Sequence, residues 1–291
     1  MKKILLATTL LATSAGFASA DVAVSGSARM GIVQSRVTVG ETSSVETQFT
    51  SRVRINFNAS GTTDGGLSFG ASVRNDQMGN GGTANGDSTV FISGAFGKLT
   101  FGDVAGGAAD NLVGQVSGVG FTSLGSSNEI GYLSGTATAV RYDYTTGALS
   151  VSVGVQQTTA PAGADRMSLA VKYAAGNYNV AVGYESQTAA SVGAATSLIS
   201  VKGATTFGAA TVTVKYARAN TNASEIGASL DYAVSPALTL TAFVTDHSNN
   251  GGYVAKGLGA SYDLGGGAKV VGGVVNNGVD TLADVGVTMS F

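Results

Sequence analysis

The sequence of 291 residues predicts an all-β protein, a 16-stranded antiparallel up-and-down barrel that spans a membrane, with one long link folded inward. Three observations predict it. Apolar and polar residues alternate with a period of two through segments of about ten residues, which is strand and not helix periodicity. The links between segments are short and long in turn, the pattern of a meander of antiparallel strands. Charge is scarce: 12% of residues are charged, against roughly 25% in an average soluble domain.

The chain begins with an export signal. Met1-Lys2-Lys3 is basic, Ile4 to Leu11 is apolar, and Ala18-Ser19-Ala20 is a small-residue cleavage site. The apolar stretch is too short for a membrane anchor, which needs about 20 residues. A cleaved signal over 1–20 and a barrel over 21–291 are therefore expected.

Strand segments follow near 21–34, 47–60, 66–77, 87–96, 98–104, 137–145, 148–157, 166–175, 177–187, 194–204, 208–218, 223–233, 236–247, 253–263, 267–275 and 282–291. In the last, Ala283, Val285, Val287, Met289 and Phe291 share one face and Asp284, Gly286, Thr288 and Ser290 the other. Gly97, Thr146-Gly147, Gly176, Ser235-Pro236 and Gly265-Gly266 mark tight turns, and 35–46, 77–86 and 158–165 longer links. Both prolines fall in connections, where no ladder hydrogen bond is lost. An even strand number puts both termini at the short-turn, periplasmic end.

Composition excludes several classes. There is no Cys, so disulfides, thiolate metal sites and Cys nucleophiles are out. A net charge of -2 without a basic cluster leaves nucleic-acid binding no electrostatic basis. A soluble sandwich would need Lys and Glu on its water-facing side; here that side is mostly Ser, Thr, Gly and Asn. A bilayer requires closure, because every backbone group at membrane depth must be paired.

The charges sit where lipid requires. Arg or Lys facing lipid costs roughly 2–4 kcal/mol at the midplane, and Arg141, Asp143, Lys172, Glu185, Lys202, Lys215, Glu225, Asp231, Lys269 and Asp284 all fall out of phase with their apolar neighbours. Arg218 and Lys256 are exceptions, near the outer strand ends where a long side chain can snorkel. Eight tyrosines in the apolar phase suit an interfacial girdle.

Residues 105–136 break the rhythm. The link holds Val113, Val116, Val119, Phe121, Leu124, Ile130, Tyr132 and Leu133, too apolar to hang in water, and a 16-stranded barrel has room for it. A constriction loop inserted in the lumen is expected.

The runs Ser51-Arg52-Val53-Arg54, Ser60 to Ser72, Val90 to Lys98 and Leu258 to Gly267, with the terminal Phe291, resemble the trimeric general porins of the purple-bacterial (alphaproteobacterial) type. The resemblance runs along the whole mature chain. It implies a homotrimer in a Gram-negative outer membrane, surrounded by lipid and lipopolysaccharide. The third external loop would form the eyelet, Phe291 the assembly signal, and ions and small hydrophilic solutes would diffuse through a water-filled channel. It also implies a wall of arginines facing carboxylates on the loop. Arg29, Arg52, Arg54 and Arg74 are the wall candidates, all inward on the first three strands with no acid read between them. Asp110 and Glu129 are the loop candidates, with Asp103 at the root, fewer acids than the family pattern. Weak selectivity leaning to anions follows, since charge at a constriction sets ion preference. So few oxygens argue against a loop-bound Ca²⁺, and neither metal nor cofactor is expected.

An outer-membrane hydrolase would need a nucleophile paired with a base. His247, the single histidine, reads as a solvated loop residue. A secreted solenoid would need a fixed repeat, and none is present.

Overall fold

The structure, a computed structural model, describes residues 21–39, 42–78, 83–84, 88–104, 107–131, 133, 139–156, 165–188, 196–247, 249 and 252–291. The expected export signal over 1–20 and Tyr132 lie outside these residues. Sixteen strands form the wall: β1 Asp21–Val39, β2 Thr42–Thr62, β3 Ser68–Met78, β4 Ser88–Gly94, β5 Gly97–Gly102, β6 Ala139–Thr146, β7 Leu149–Gln156, β8 Arg166–Ala175, β9 Tyr178–Gln187, β10 Thr196–Phe207, β11 Ala210–Ala219, β12 Ser224–Ala233, β13 Leu238–Asp246, β14 Val254–Gly265, β15 Ala268–Asn276 and β16 Thr281–Ser290. A two-residue bridge, Thr83–Ala84, adds to the edge of β3.

Each strand pairs antiparallel with its sequence neighbours, and β1 pairs with both β2 and β16. The sheet therefore closes and has no free edge, as lipid demands. At the seam, Gly26 N donates to Phe291 O at 2.6 Å and Phe291 N to Gly26 O at 3.0 Å. A Cβ at Gly26 would lie 2.5 Å from the Phe291 ring, so glycine there makes room for it.

Where a link is expected at 35–46, residues 35–39 and 42–46 are strand. β1 and β2 run in register from Asp21↔Ser60 to Val39↔Thr42. Val37, Thr38 and Val45 are β-branched, and such side chains fit a pleated surface. The hairpin therefore keeps pairing beyond the segments the alternation marks. Elsewhere the tight turns fall within two residues of the expected positions, at 95–96, 147–148, 176–177 and 266–267. Gly147 and Gly176 take φ of +57°, open to glycine at no steric cost.

The outward face is apolar and exposed on nearly every strand, from Val24 and Phe57 to Leu258 and Val285. Tyr144, Tyr173, Tyr178, Tyr232 and Tyr262 lie outward near the short-turn ends, where an aromatic ring's polar tip reaches water. The buried core is inside: Val113, Val116, Val119, Phe121, Leu124 and Ile130 of the inserted loop are each 6% exposed or less. That loop carries a helical turn, α1 (Gly107–Leu112), and a short 3-10 turn at Ser123–Ser126.

Candidate functional site

The loop rests on a bed of small residues. A Cβ at Gly183 would lie 2.9 Å from both Ala109 and Val113, and one at Gly257 2.9 Å from Val119. At Gly273 it would lie 2.6 Å from the Gly120 backbone nitrogen, and at Gly31 2.7 Å from the Phe121 ring. Ala170, Ala181, Ala217 and Ala255 are fully covered, each 1% exposed or less. Inward positions from β7 round to β16 and β1 thus carry little bulk, and the loop's apolar side chains take the space.

Polar side chains then staple it. Ser168 Oγ accepts from Ala108 N at 2.7 Å, and Asp284 accepts from Thr122 N at 2.8 Å and Thr122 Oγ1 at 2.7 Å. Ser117 donates from its hydroxyl to Asp231 at 2.6 Å and from its backbone N–H to Ser229 Oγ at 3.0 Å. Glu225 accepts from Gly131 N, and Glu185 from Leu133 N at 3.2 Å. Lys215 Nζ donates to Ile130 O at 2.6 Å and Gln115 Oε1 at 3.0 Å. The sequence places these wall residues in the lumen phase. Their role as loop anchors had no sequence signal, because each partner is tens of residues away or more.

His247 belongs to the same set and is not a solvated loop histidine. Its Nδ1 lies 3.0 Å from Glu225 Oε1 and its Nε2 3.2 Å from Thr245 Oγ1, which donates to Ser127 O at 2.6 Å. The closed strand ends bring Glu225 and His247 together across β12 and β13.

Opposite the loop stands a wall it leaves open. Among the described residues none of the loop's side-chain hydrogen bonds reaches β2, β3 or β4. Arg29 and Arg52 are direct cross-strand partners, and Arg54 is two residues on from Arg52. Arg29 also donates to Phe121 O at 3.2 Å, where loop and wall meet. One acid does interleave, against the sequence reading. Asp76 takes a bidentate pair from Arg54 at 2.7 and 2.9 Å and lies 3.2 Å from Arg74 Nε. The signal was present: Asp76 is two residues from Arg74, hence on the same face. Asp76 compensates Arg54 and Arg74; no acid bridges Arg29 and Arg52, whose Nε atoms are buried without a partner.

The loop acids lie elsewhere. Asp110, on α1, has Lys215, Glu129, Lys202 and Arg141 as its strongest charged neighbours, and burial pushes its carboxyl above the ordinary carboxylate range. Glu129 lines a cavity with Glu225 beside β10, β11 and β12. The strongest charged neighbours of Arg52 are Arg29, Arg54, Asp76 and Arg74, with neither loop acid among them.

A closed 16-stranded barrel with an inward loop facing a basic wall is the build of a channel, and residues 7–282 match the Gram-negative porin family. The chain belongs to the Gram-negative porin family. It is 35% identical to the porin of Rhodobacter capsulatus, over 93% of this chain and all of that protein. A solved porin structure, 32% identical, superposes with a TM-score of 0.75 over 93% of this chain and all of the other. A multiply substituted Rh. blastica porin, 22% identical, shares the fold at a TM-score of 0.78 with the same coverage. This porin is a multi-pass outer-membrane protein, and its channel serves passive diffusion.

Proposed function

We propose that this porin passes ions and small hydrophilic solutes with weak selectivity leaning to anions, and that Arg29, Arg52, Arg54 and Arg74 set that preference. The observation that carries the reading is the cross-strand pair of Arg29 and Arg52, which no acid bridges among the described residues. Like charges placed opposite one another repel, and a passing anion relieves that repulsion. Asp76 weakens the share of Arg54 and Arg74, and Asp110 sits beside the wall lysines Lys215 and Lys202, so the field across the opening is modest.

The same reading takes the leader to be cut after Ala20 and the loop near 105–136 to be the constriction. It takes the working unit to be a homotrimer in lipid and lipopolysaccharide, with Phe291 as the signal for assembly. No enzymatic step is assigned, since the family points to a channel. Planar-bilayer recording tests the reading. Closures in groups of three are expected, and a salt gradient should give a reversal potential on the anion side. Arg52→Glu and Arg54→Glu should each move it toward cations; no movement in either would remove the wall assignment.

A further inference from the structure

Two basic side chains stand outside the lumen phase. Arg218 follows Tyr216 on the outward face of β11, and Lys256 precedes Leu258 on that of β14; both are exposed, at the strand ends that lead to the longer links. Arg218 Nη2 is occupied, donating to Asn222 Oδ1 at 3.0 Å. Lys256 has neither a side-chain hydrogen bond nor an ion pair among the described residues. Its cross-strand partners are Val244 and Asn276.

Below Lys256, toward the bilayer centre, the outward face is hollowed. Leu240, Leu258, Ala260, Gly272, Val274 and Ala283 line an open apolar groove across β13 to β16. The register sets Ala260 beside Gly272 and Val274 beside Ala283, so small side chains form the floor. Leu240, Leu258 and Val274 form its banks. A strand rises about 3.3 Å per residue, which puts Leu258 roughly 7 Å and Ala260 roughly 13 Å from Lys256 along the chain.

Snorkelling accounts for a cation at the rim but not for the hollow beneath it. A cation without a counter-ion, followed inward by an apolar furrow, complements an amphiphile with an anionic head and an extended hydrocarbon chain. The outer leaflet lies at this end of the barrel, since both termini lie at the other. We propose that Lys256 and the groove below it seat one phosphorylated glycolipid of that leaflet. A phosphate meets the ammonium group, and one acyl chain lies along Leu258 and Ala260. This rests on the reading that lipopolysaccharide surrounds the outer end of the barrel.

Native mass spectrometry of the full-length protein, folded and in mild detergent, tests it with bisphosphorylated lipid A, dephosphorylated lipid A and phosphatidylethanolamine. Wild type should retain bisphosphorylated lipid A at least tenfold better than the dephosphorylated form. Lys256→Ala should abolish that preference and Lys256→Arg keep it. Ala260→Phe should fill the groove and lower retention of both forms with Lys256 intact. Unchanged conductance and heat-modifiable migration would show each variant folded. A lipid A preference that survives Lys256→Ala, or retention indifferent to Ala260→Phe, would overturn this site and leave the lipopolysaccharide reading standing. No preference of wild type for lipid A over phosphatidylethanolamine would overturn both. A second copy cross-linked through a reagent on Lys256 would assign the groove to a protein contact instead.

Discussion

On β1 to β3 the inward side chains Arg29, Arg52, Arg54 and Arg74 are long and cationic, whereas on β9, β12, β14 and β15 inward positions under the loop hold Gly183, Gly227, Gly257 and Gly273. Both regions face the same lumen and both carry charge. On the covered side Glu185, Glu225, Asp231 and Asp284 each give one oxygen to loop N–H or O–H groups. On the open side Arg52 makes no side-chain hydrogen bond among the described residues, and Arg29 makes one, to Phe121 O. The difference teaches that an inward charge in a barrel is not by itself a selectivity residue. What stands in front of it decides.

The contrast breaks most completely if the covered side loses its room. Gly273→Leu places a side chain where a Cβ already meets the Gly120 nitrogen, so the loop must leave the wall. Single-channel conductance and the size of permeating polyethylene glycols should both rise clearly. Asp284→Ala should act in the same direction through chemistry instead of bulk. It leaves the Thr122 N–H without its acceptor, a loss of about 1–3 kcal/mol for a buried donor, readable as a lower unfolding midpoint in urea.

Substitutions on the open side should change selectivity with little effect on stability. Arg29→Ala with Arg52→Ala should carry the reversal potential across zero toward cations. Asp76→Asn should move it the other way by unmasking Arg54 and Arg74. A single charge contact in water is worth about 1 kcal/mol, so a severalfold change in permeability ratio is the scale to look for. Equal shifts from Arg52→Ala and Lys215→Ala would erase the distinction between the two regions, because Lys215 is tied to Ile130 O and Gln115.

Asp110 gives a smaller, pH-dependent effect. Its carboxyl titrates above the ordinary range because burial disfavours the charged form. The folded protein therefore takes up this proton before the unfolded chain does, and acidification through that window favours folding at this site. It also removes one negative charge from the loop. Anion preference should rise as pH falls toward the carboxylate range, and Asp110→Asn should flatten that step. The smallest change is expected for His247→Ala. A single side-chain hydrogen bond is worth about 0.5–1.5 kcal/mol, and Glu225 still accepts from Gly131 N.

Much of the fold was legible because a barrel in lipid obeys a strict local rule. Alternation, turn glycines and, with Arg218 and Lys256 as exceptions, the phase of the charges recur along the chain, so Val285 and Asp284 declare their sides without reference to any partner. The 35–46 stretch was misread because polar hairpin strands above the membrane need no apolar face, and only pairing marks them. Asp76 was legible through its spacing from Arg74, and the four arginines were legible as inward. His247 and the loop anchors were not, since their partners come from other strands.

The sequence by itself determined that this chain is exported, closes as a 16-stranded barrel, keeps its charges inside and folds one apolar link inward. Each of those follows from residue type and period, which are local. The tertiary structure decided which inward charges are spent: Asp284 on Thr122, Asp231 on Ser117, Asp76 on Arg54, with the cross-strand pair of Arg29 and Arg52 left facing the lumen. The reason is that a carboxylate's role depends on the donor it meets, and closure of the barrel and the path of the loop set that meeting.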